Sequence, residues 1–92
     1  MLWALTVAAA AHHRQWGEEA VVFNAATAST HLLEQDTALV FAALAGAQGA
    51  ALDERQLLTA LGEIDADAGQ RQALRDILGS LQASGLAESR AS

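Results

Sequence analysis

The hydrophobic and polar positions between residues 8 and 33 follow the pattern of short β-strands. Two β-prone runs, 20–24 and 29–33, are separated by small and turn-prone residues. A further segment, 9–16, precedes them and ends at a turn that contains Gly17. This spacing predicts three antiparallel strands joined as an up-down-up meander.

The first eleven residues form an apolar stretch that ends in four alanines. A secretory signal also has such a stretch, but it carries Lys or Arg before the apolar residues. Here the first positive side chain, Arg14, follows the stretch. We therefore interpret the stretch as a strand, and we expect Trp3 and Leu5 to pack beneath the sheet.

After Leu33 the hydrophobic period changes from two to 3.6 residues, which is typical of an amphipathic helix. The positions that share one face of this helix are Thr37, Val40, Phe41 and Leu44. Gly46 follows them as a stop signal. The pattern predicts a first helix that ends near Gly46.

Two later segments have the spacing of a capping box, in which an Asp and the Gln three positions later bond each other's backbone N–H groups. Asp53 and Gln56 predict a second helix over about 53–61 that ends at Gly62.

The second box, Asp67 with Gln70, predicts the longest helix, over about 68–84. The sequence Gly85-Leu86 after it suits a Schellman close, in which a glycine in the left-handed conformation ends the helix. The apolar stripe of this third helix consists of Leu74, Ile77, Leu78 and Leu81.

The order β-β-β-α-α-α predicts an α+β, winged-helix-like fold, with an N-terminal three-stranded antiparallel sheet followed by three α-helices. A length of 92 residues fits one domain over 1–92. We expect a disordered tail at about 88–92. Phe41 and Leu78 lie on the apolar stripes of their helices and are expected in the core.

Composition narrows the possible functions. The chain is 52% apolar and 17% charged, which is too hydrophobic for disorder, and it has no apolar run of the length that a membrane span needs. Five arginines and no lysine stand against eleven acids, a net charge of −6, so binding to nucleic acid or to an anionic membrane is disfavoured. The absence of cysteine excludes disulfides and thiolate chemistry and fits a reducing, cytoplasmic location.

The polar residues predict no catalytic, metal or cofactor site. His12, His13 and His31 could supply nitrogen ligands to zinc. Adjacent residues on a strand point to opposite faces, so His12 and His13 are not expected to enter the same site. The acids Glu63, Asp65 and Asp67 are explained by capping and solvation. No nucleophile elbow or phosphate-binding loop is present, so we expect no enzymatic activity.

A helix-turn-helix interpretation is the alternative. Three helices with a tight second connection are compatible with DNA binding, and a recognition helix over 68–84 would present Arg71 and Arg75. The turn 63–67 before it is negatively charged and would repel DNA phosphates. A small winged-helix DNA-binding regulator is therefore the second hypothesis.

The first hypothesis is an interaction module. A three-stranded meander leaves an edge strand whose free N–H and C=O groups can pair with an extended peptide. Gly79 lies among good helix formers, where glycine costs about 1 kcal/mol relative to alanine. It could allow another backbone to approach, or it could fit a helix–helix contact within the monomer or be tolerated without a role.

Several segments resemble the PqqD family, small peptide chaperones also called precursor-peptide recognition elements, and in particular the PqqD relatives of the HPr-rel-A system. The resemblance covers nearly the whole chain. Two positions depart from the family pattern: Glu34 at a helix start where Asn or Asp is common, and Ala28 in a turn where Gly is frequent. The matching segments are Trp16, Val21-Val22-Phe23-Asn24, Ala25-Ala26, Thr30-His31-Leu32-Leu33, Val40-Phe41 with Leu44, Leu52-Asp53, and Leu81 with Gly85-Leu86.

The resemblance implies that a substrate or leader peptide adds as a strand beside 29–33, lies against the third helix and is presented to a partner enzyme. It also implies a genomic companion that resembles HPr kinase; a homodimer remains open. The implied peptide-binding residues are Ser29, Thr30, His31, Leu32 and Leu33 on the strand, and Arg71, Leu74, Arg75, Leu78 and Gly79 on the helix.

Arg71 and Arg75 are four residues apart and so share one face of the third helix. They form a possible positive site that would select acidic peptide segments. The competing interpretation is that they pair with Asp67 and Glu63 or are simply solvated.

Overall fold

The computed structural model describes residues 1–7, 13–16, 18–24, 27–47, 50–62 and 65–91. These residues form an α+β fold with a three-stranded antiparallel sheet, three helices and an additional two-stranded sheet. The elements in chain order are β1 (Leu2–Leu5), β2 (His13–Trp16), β3 (Glu19–Asn24), β4 (Ser29–Glu34), α1 (Gln35–Gly46), α2 (Glu54–Ala60), α3 (Ala68–Ala83) and β5 (Ala87–Arg90).

The predicted meander is the sheet β2-β3-β4. Strands β3 and β4 match the predicted runs 20–24 and 29–33, and β2 matches the second half of the predicted strand 9–16. The segment 9–12 lies outside the described residues. In the β3–β4 register, Ala20 faces Leu33 and Val22 faces His31. Ala20, Val22 and Leu33 are buried, so this face of the sheet covers the core.

The second sheet adds a strand pairing that was not predicted and corrects one expectation. Residues Leu2–Leu5 form a strand, as interpreted from the sequence, and it pairs antiparallel with β5, with Leu2 opposite Arg90. Leu5 lies in the core, and Trp3 packs against that core. The predicted disordered tail is wrong for 88–90, which belong to β5. Strand β5 could not be predicted from the sequence, because its pairing depends on β1, which is distant along the chain, and on a turn at Gly85 that brings the two segments side by side.

The structure confirms the three helices that the sequence predicts. Helix α1 ends at Gly46 as predicted, and buries Ala38, Val40, Phe41 and Leu44. Both capping boxes are formed: Gln56 N donates to Asp53 at 2.7 Å, and Gln70 N donates to Asp67 at 2.8 Å. No helix in the described ranges is long and apolar enough to cross a bilayer.

Helix α3 ends in the predicted Schellman motif. Leu86 N donates to Leu81 O at 2.9 Å and Gly85 N donates to Gln82 O at 3.0 Å. Gly85 has a φ of +74°, a backbone conformation that residues other than glycine rarely adopt. Leu78 and Phe41 are core residues, as expected.

Asn24 is a buried polar residue at the end of β3, only 2% exposed. Its side-chain Nδ2 donates to Gly85 O at 3.3 Å and to Ser84 O at 3.4 Å. Thr6 Oγ1 donates to the same Gly85 carbonyl at 2.9 Å. The end of α3 is thus held by side chains from β3 and from the segment after β1, which joins the two sheets to the helices.

Candidate functional site

The outer edge of β4 has free backbone groups. Gln35 N donates to Glu18 O at 2.9 Å, which fixes the alternation of hydrogen-bonded pairs along β3 and β4. Counting along the register from that pair, His31 and Leu33 point their backbone groups at β3, whereas Thr30 and Leu32 point theirs away. No strand in the described part of the chain pairs with this edge.

Apolar side chains are exposed beside the free edge. Leu32 is 56% exposed and lies opposite Val21, and Phe23 is 41% exposed and lies opposite Thr30. These side chains share the outer face of the sheet, since cross-strand partners lie on the same face. The β4 edge therefore offers backbone hydrogen bonding together with an apolar surface.

The remaining predicted strand residues lie on the inner face. Leu33 is buried in the core. Ser29 and His31 are half-buried, and the Ser29 hydroxyl is 3.0 Å from His31 Nε2. Leu33 therefore supports the strand from below, and Thr30 and Leu32 are the predicted strand residues accessible to a peptide.

Between α1 and α3 lies a small apolar groove with a volume of about 290 Å³. It starts at Asp36, in the first turn of α1, two residues after the end of β4. Leu39 of α1 is a large apolar residue with an exposed side chain, and it lines this groove. The lining residues are Asp36, Leu39, Val40, Leu61, Gln70, Ala73, Leu74 and Ile77.

Arg71 and Arg75 line a different cavity, of about 670 Å³, on the side of α3 that faces α2 and β1. Arg75 Nη2 lies 3.3 Å from Glu54 Oε1 of α2. For the competing interpretation of pairing with Asp67 or solvation, the structure shows no ion pair of Asp67 with a described residue, and one oxygen of this carboxylate accepts from Gln70 N in the capping box. Glu63, the other expected partner, lies outside the described residues.

The predicted helix residues thus do not form one groove with β4. Helix α3 packs extensively against α1 and β5, and β4 packs against β3 and α1. Leu78 is 1% exposed and belongs to the core, whereas Leu74 is buried at the base of the apolar groove. Gly79 is exposed, with no atom within 4 Å of where a Cβ would stand, so it makes no close helix–helix contact within the described chain.

Histidines and acids form no metal site in the described ranges, where no group of three or more His, Cys, Asp or Glu side chains is placed to hold an ion. The His13 ring packs edge-on against Phe41, with 5.2 Å between ring centroids. His12 lies outside the described residues.

Two features of these surfaces were not predicted from the sequence. One is Arg55, which joins Arg71 and Arg75 only because α2 and α3 line the same cavity. The other is the apolar groove, for which the signal was present: Leu39 is a large apolar residue off the buried stripe of α1.

No protein-family model matches the chain, and searches of curated proteins and of solved structures likewise found no match. The resemblance to the PqqD family therefore stays an interpretation of the sequence.

Proposed function

We propose that this chain is a non-enzymatic peptide-binding adaptor of the PqqD-like, winged-helix type, which takes up a client peptide as an additional strand at β4 and presents it to a partner enzyme. The observation that carries this proposal is the open edge of β4, where Thr30 and Leu32 direct their backbone groups away from β3.

The β4 edge is better suited to strand addition than the β2 edge of the same sheet. Proteins protect edges against unwanted pairing with short strands and charged side chains. Strand β2 has four residues and exposes three polar ones, His13, Arg14 and Gln15. Strand β4 has six residues and carries its single charge, Glu34, at its last position, while Thr30 and Leu32 are exposed before it. The β2 edge is thus protected, and the β4 edge is available to a peptide.

Backbone hydrogen bonds supply affinity that tolerates many sequences, and side-chain contacts supply the choice among peptides. Alternate side chains of an added strand would lie beside Leu32 and Phe23 on the outer face. A peptide that continues past Glu34 would reach the apolar groove at Leu39 and Ile77. We assign selectivity to these apolar contacts, because Arg71 and Arg75 open onto the other side of α3.

The proposed partners are a client peptide and the enzyme that acts on it, with an HPr-kinase-like protein as the expected companion. A second copy of the chain would compete for the same edge, because two β4 strands could pair with each other.

DNA binding ranks second. Helix α3 would be the recognition helix, but Arg75 is engaged by Glu54 and the capping carboxylate of Asp67 lies at the helix start. With a net charge of −6, the chain would have to overcome repulsion from phosphates.

A displayed library of random short peptides, selected against the purified chain, tests the proposal. Leu32→Pro removes an N–H that points outward from β4, and proline also obstructs an approaching strand. The matched control is Gln15→Pro, because the same alternation turns the Gln15 N–H toward the outer edge of β2. Selected peptides should bind the wild type and Gln15→Pro and lose most of their affinity for Leu32→Pro.

Three outcomes would contradict the proposal. The selection could yield no binders, or the binders could be equally affected by both proline variants. The chain could instead bind duplex DNA selectively at physiological salt, which would favour the regulator. Sedimentation analysis of the free chain and circular dichroism of both variants separate these results from self-association and from misfolding.

A further inference from the structure

Arginines are concentrated at one place on the molecule. Three of the five arginines in the chain, Arg55 on α2 with Arg71 and Arg75 on α3, line the cavity of about 670 Å³. The two others lie elsewhere, with Arg14 on β2 and Arg90 on β5. We call this cavity the arginine cleft; its remaining lining residues are Met1, Trp3, Asp53, Glu54, Leu58 and Thr59.

The two carboxylates in the arginine cleft already have partners. Glu54 is paired with Arg75 at 3.3 Å, and Asp53 accepts a hydrogen bond from Gln56 N at 2.7 Å in the capping box. Arg55 and Arg71 are exposed, and neither forms an ion pair with a described residue. The Asp53 carboxylate keeps its charge, so arginines outnumber carboxylates in the arginine cleft by three to two, although the whole chain has a net charge of −6.

The walls of the arginine cleft combine those groups with apolar surface. Trp3 is half-buried and Leu58 is almost fully buried. Trp3 is held by backbone bonds to Leu52, with Trp3 N donating to Leu52 O at 2.7 Å and Leu52 N donating to Trp3 O at 2.8 Å. The indole thus stands on a strand fixed beside α2, not on a loose terminus.

These groups match the chemistry of an organic anion. A guanidinium presents a planar fork of donors that suits a carboxylate or a phosphate, and an indole presents a planar apolar face. The cavity volume lies within the range of small-molecule sites. An isolated surface arginine is usually only solvated. Here two arginines that form no ion pair with a described residue share one concave site with an aromatic wall.

We propose that the arginine cleft binds a small organic anion, with its carboxylate or phosphate group between Arg55 and Arg71 and its planar apolar part against Trp3 and Leu58. This site lies apart from the β4 edge and does not depend on strand addition. It also gives Arg71 and Arg75 separate tasks: Arg71 contacts the ligand, and Arg75 neutralises Glu54.

Nuclear magnetic resonance titration of the full chain with phenyl phosphate and with benzoate tests the site. Both probes carry an oxyanion and a ring, and comparing them shows whether the site prefers a phosphate or a carboxylate. We expect saturable shifts at the Trp3 indole N–H and at the side-chain Nε–H groups of Arg55 and Arg71. Inorganic phosphate, which lacks the ring, should bind more weakly than phenyl phosphate, and phenol, which lacks the charge, should produce no saturable shift.

Substitutions then test the two arginines separately. Arg55→Gln and Arg71→Gln should each weaken probe binding about tenfold, the loss expected for one charge-assisted contact. Arg14→Gln makes the same charge change outside the arginine cleft and should alter binding less than about twofold. Arg55→Lys keeps the charge but loses the fork, so its effect should be intermediate.

The proposal fails if neither probe produces a saturable shift in the wild type, or if Arg14→Gln weakens binding as much as Arg55→Gln. All substituted positions are exposed, and circular dichroism confirms that each variant is folded. Failure of this site would leave strand addition at β4 untouched, because no residue of β4 lines the arginine cleft.

Discussion

The helical region, α1 to α3, and the sheet region, β2 to β4, are built in different ways. Helices α2 and α3 each start with a complete capping box, and α3 ends in a Schellman motif. The two non-glycine residues with positive φ in the described chain are Ala28, at 55° in the sheet region, and Gln35, at 51°, which is the first residue of α1.

The junction between the two regions also lacks a cap. Glu34 is the N-cap of α1 and makes no side-chain capping bond. The strained backbone, the uncapped helix start and the open strand edge therefore lie in the sheet region and at its junction with α1, whereas α2 and α3 start with capping boxes. From this difference we expect α2 and α3 to contribute more to stability than the sheet region does, and the pairing of β4 with a peptide stays a proposal.

The largest expected effect is a difference in how much one substitution in each region lowers the free energy of unfolding. Leu78→Ala, in the core under α3, should lower the free energy of unfolding by about 2–5 kcal/mol, because it removes buried methylenes and leaves a cavity. Leu32→Ala, on the exposed face of β4, should change it by less than about 0.5 kcal/mol. Urea denaturation measures both. A loss under about 1 kcal/mol for Leu78→Ala would mean that α3 contributes little to the core.

The next effect concerns the link between the regions. Asn24→Ala removes the donor that reaches Ser84 O and Gly85 O at the end of α3, and should cost about 1–3 kcal/mol. Urea denaturation measures the loss, and amide hydrogen exchange should show increased opening of β5 and of the last turn of α3. Wild-type stability in Asn24→Ala would show that the link is dispensable.

A smaller effect tests strain in the sheet region. Ala28 has a φ of +55°, where an L side chain costs about 1 kcal/mol and glycine does not. Ala28→Gly should therefore stabilise the chain by about that amount. Ala73→Gly, at an exposed position within α3, should destabilise it by about 1 kcal/mol. If both substitutions changed the free energy of unfolding in the same direction, backbone strain would not distinguish the two regions.

The smallest effect lies in the helical region. Gly79 is exposed within α3 and a Cβ there would meet open space, so Gly79→Ala should raise stability by about 0.5–1 kcal/mol. The control is Gly85→Ala, which should be destabilising because φ is +74° and the new Cβ would stand 2.8 Å from Asn24 Nδ2. A destabilised Gly79→Ala would point to an unrecognised contact at that position.

The helices could be predicted because their signals are local. The capping pairs are three residues apart, and the apolar stripe of α3 repeats every three or four residues. The meander was also predictable, from β-prone runs separated by turn-prone residues.

What the sequence did not reveal depends on contacts between distant segments. The pairing of β1 with β5 joins the two ends of the described chain, and neither strand alternates apolar and polar residues strongly enough to predict it. The arginine cleft depends on how the fold places α2 opposite α3 around one cavity, and the spacing of Arg71 and Arg75 does not indicate that they face away from β4. The candidate site was therefore predictable at the β4 edge and not at the helices.

Amide hydrogen exchange along β4 tests the central claim most directly. In the free chain the amides of Thr30 and Leu32 should exchange fast, while those of His31 and Leu33, which point at β3, should be protected. With a selected peptide bound, Thr30 and Leu32 should become protected as well. Slow exchange of both amides in the free chain, or unchanged fast exchange in the complex, would contradict strand addition at this edge.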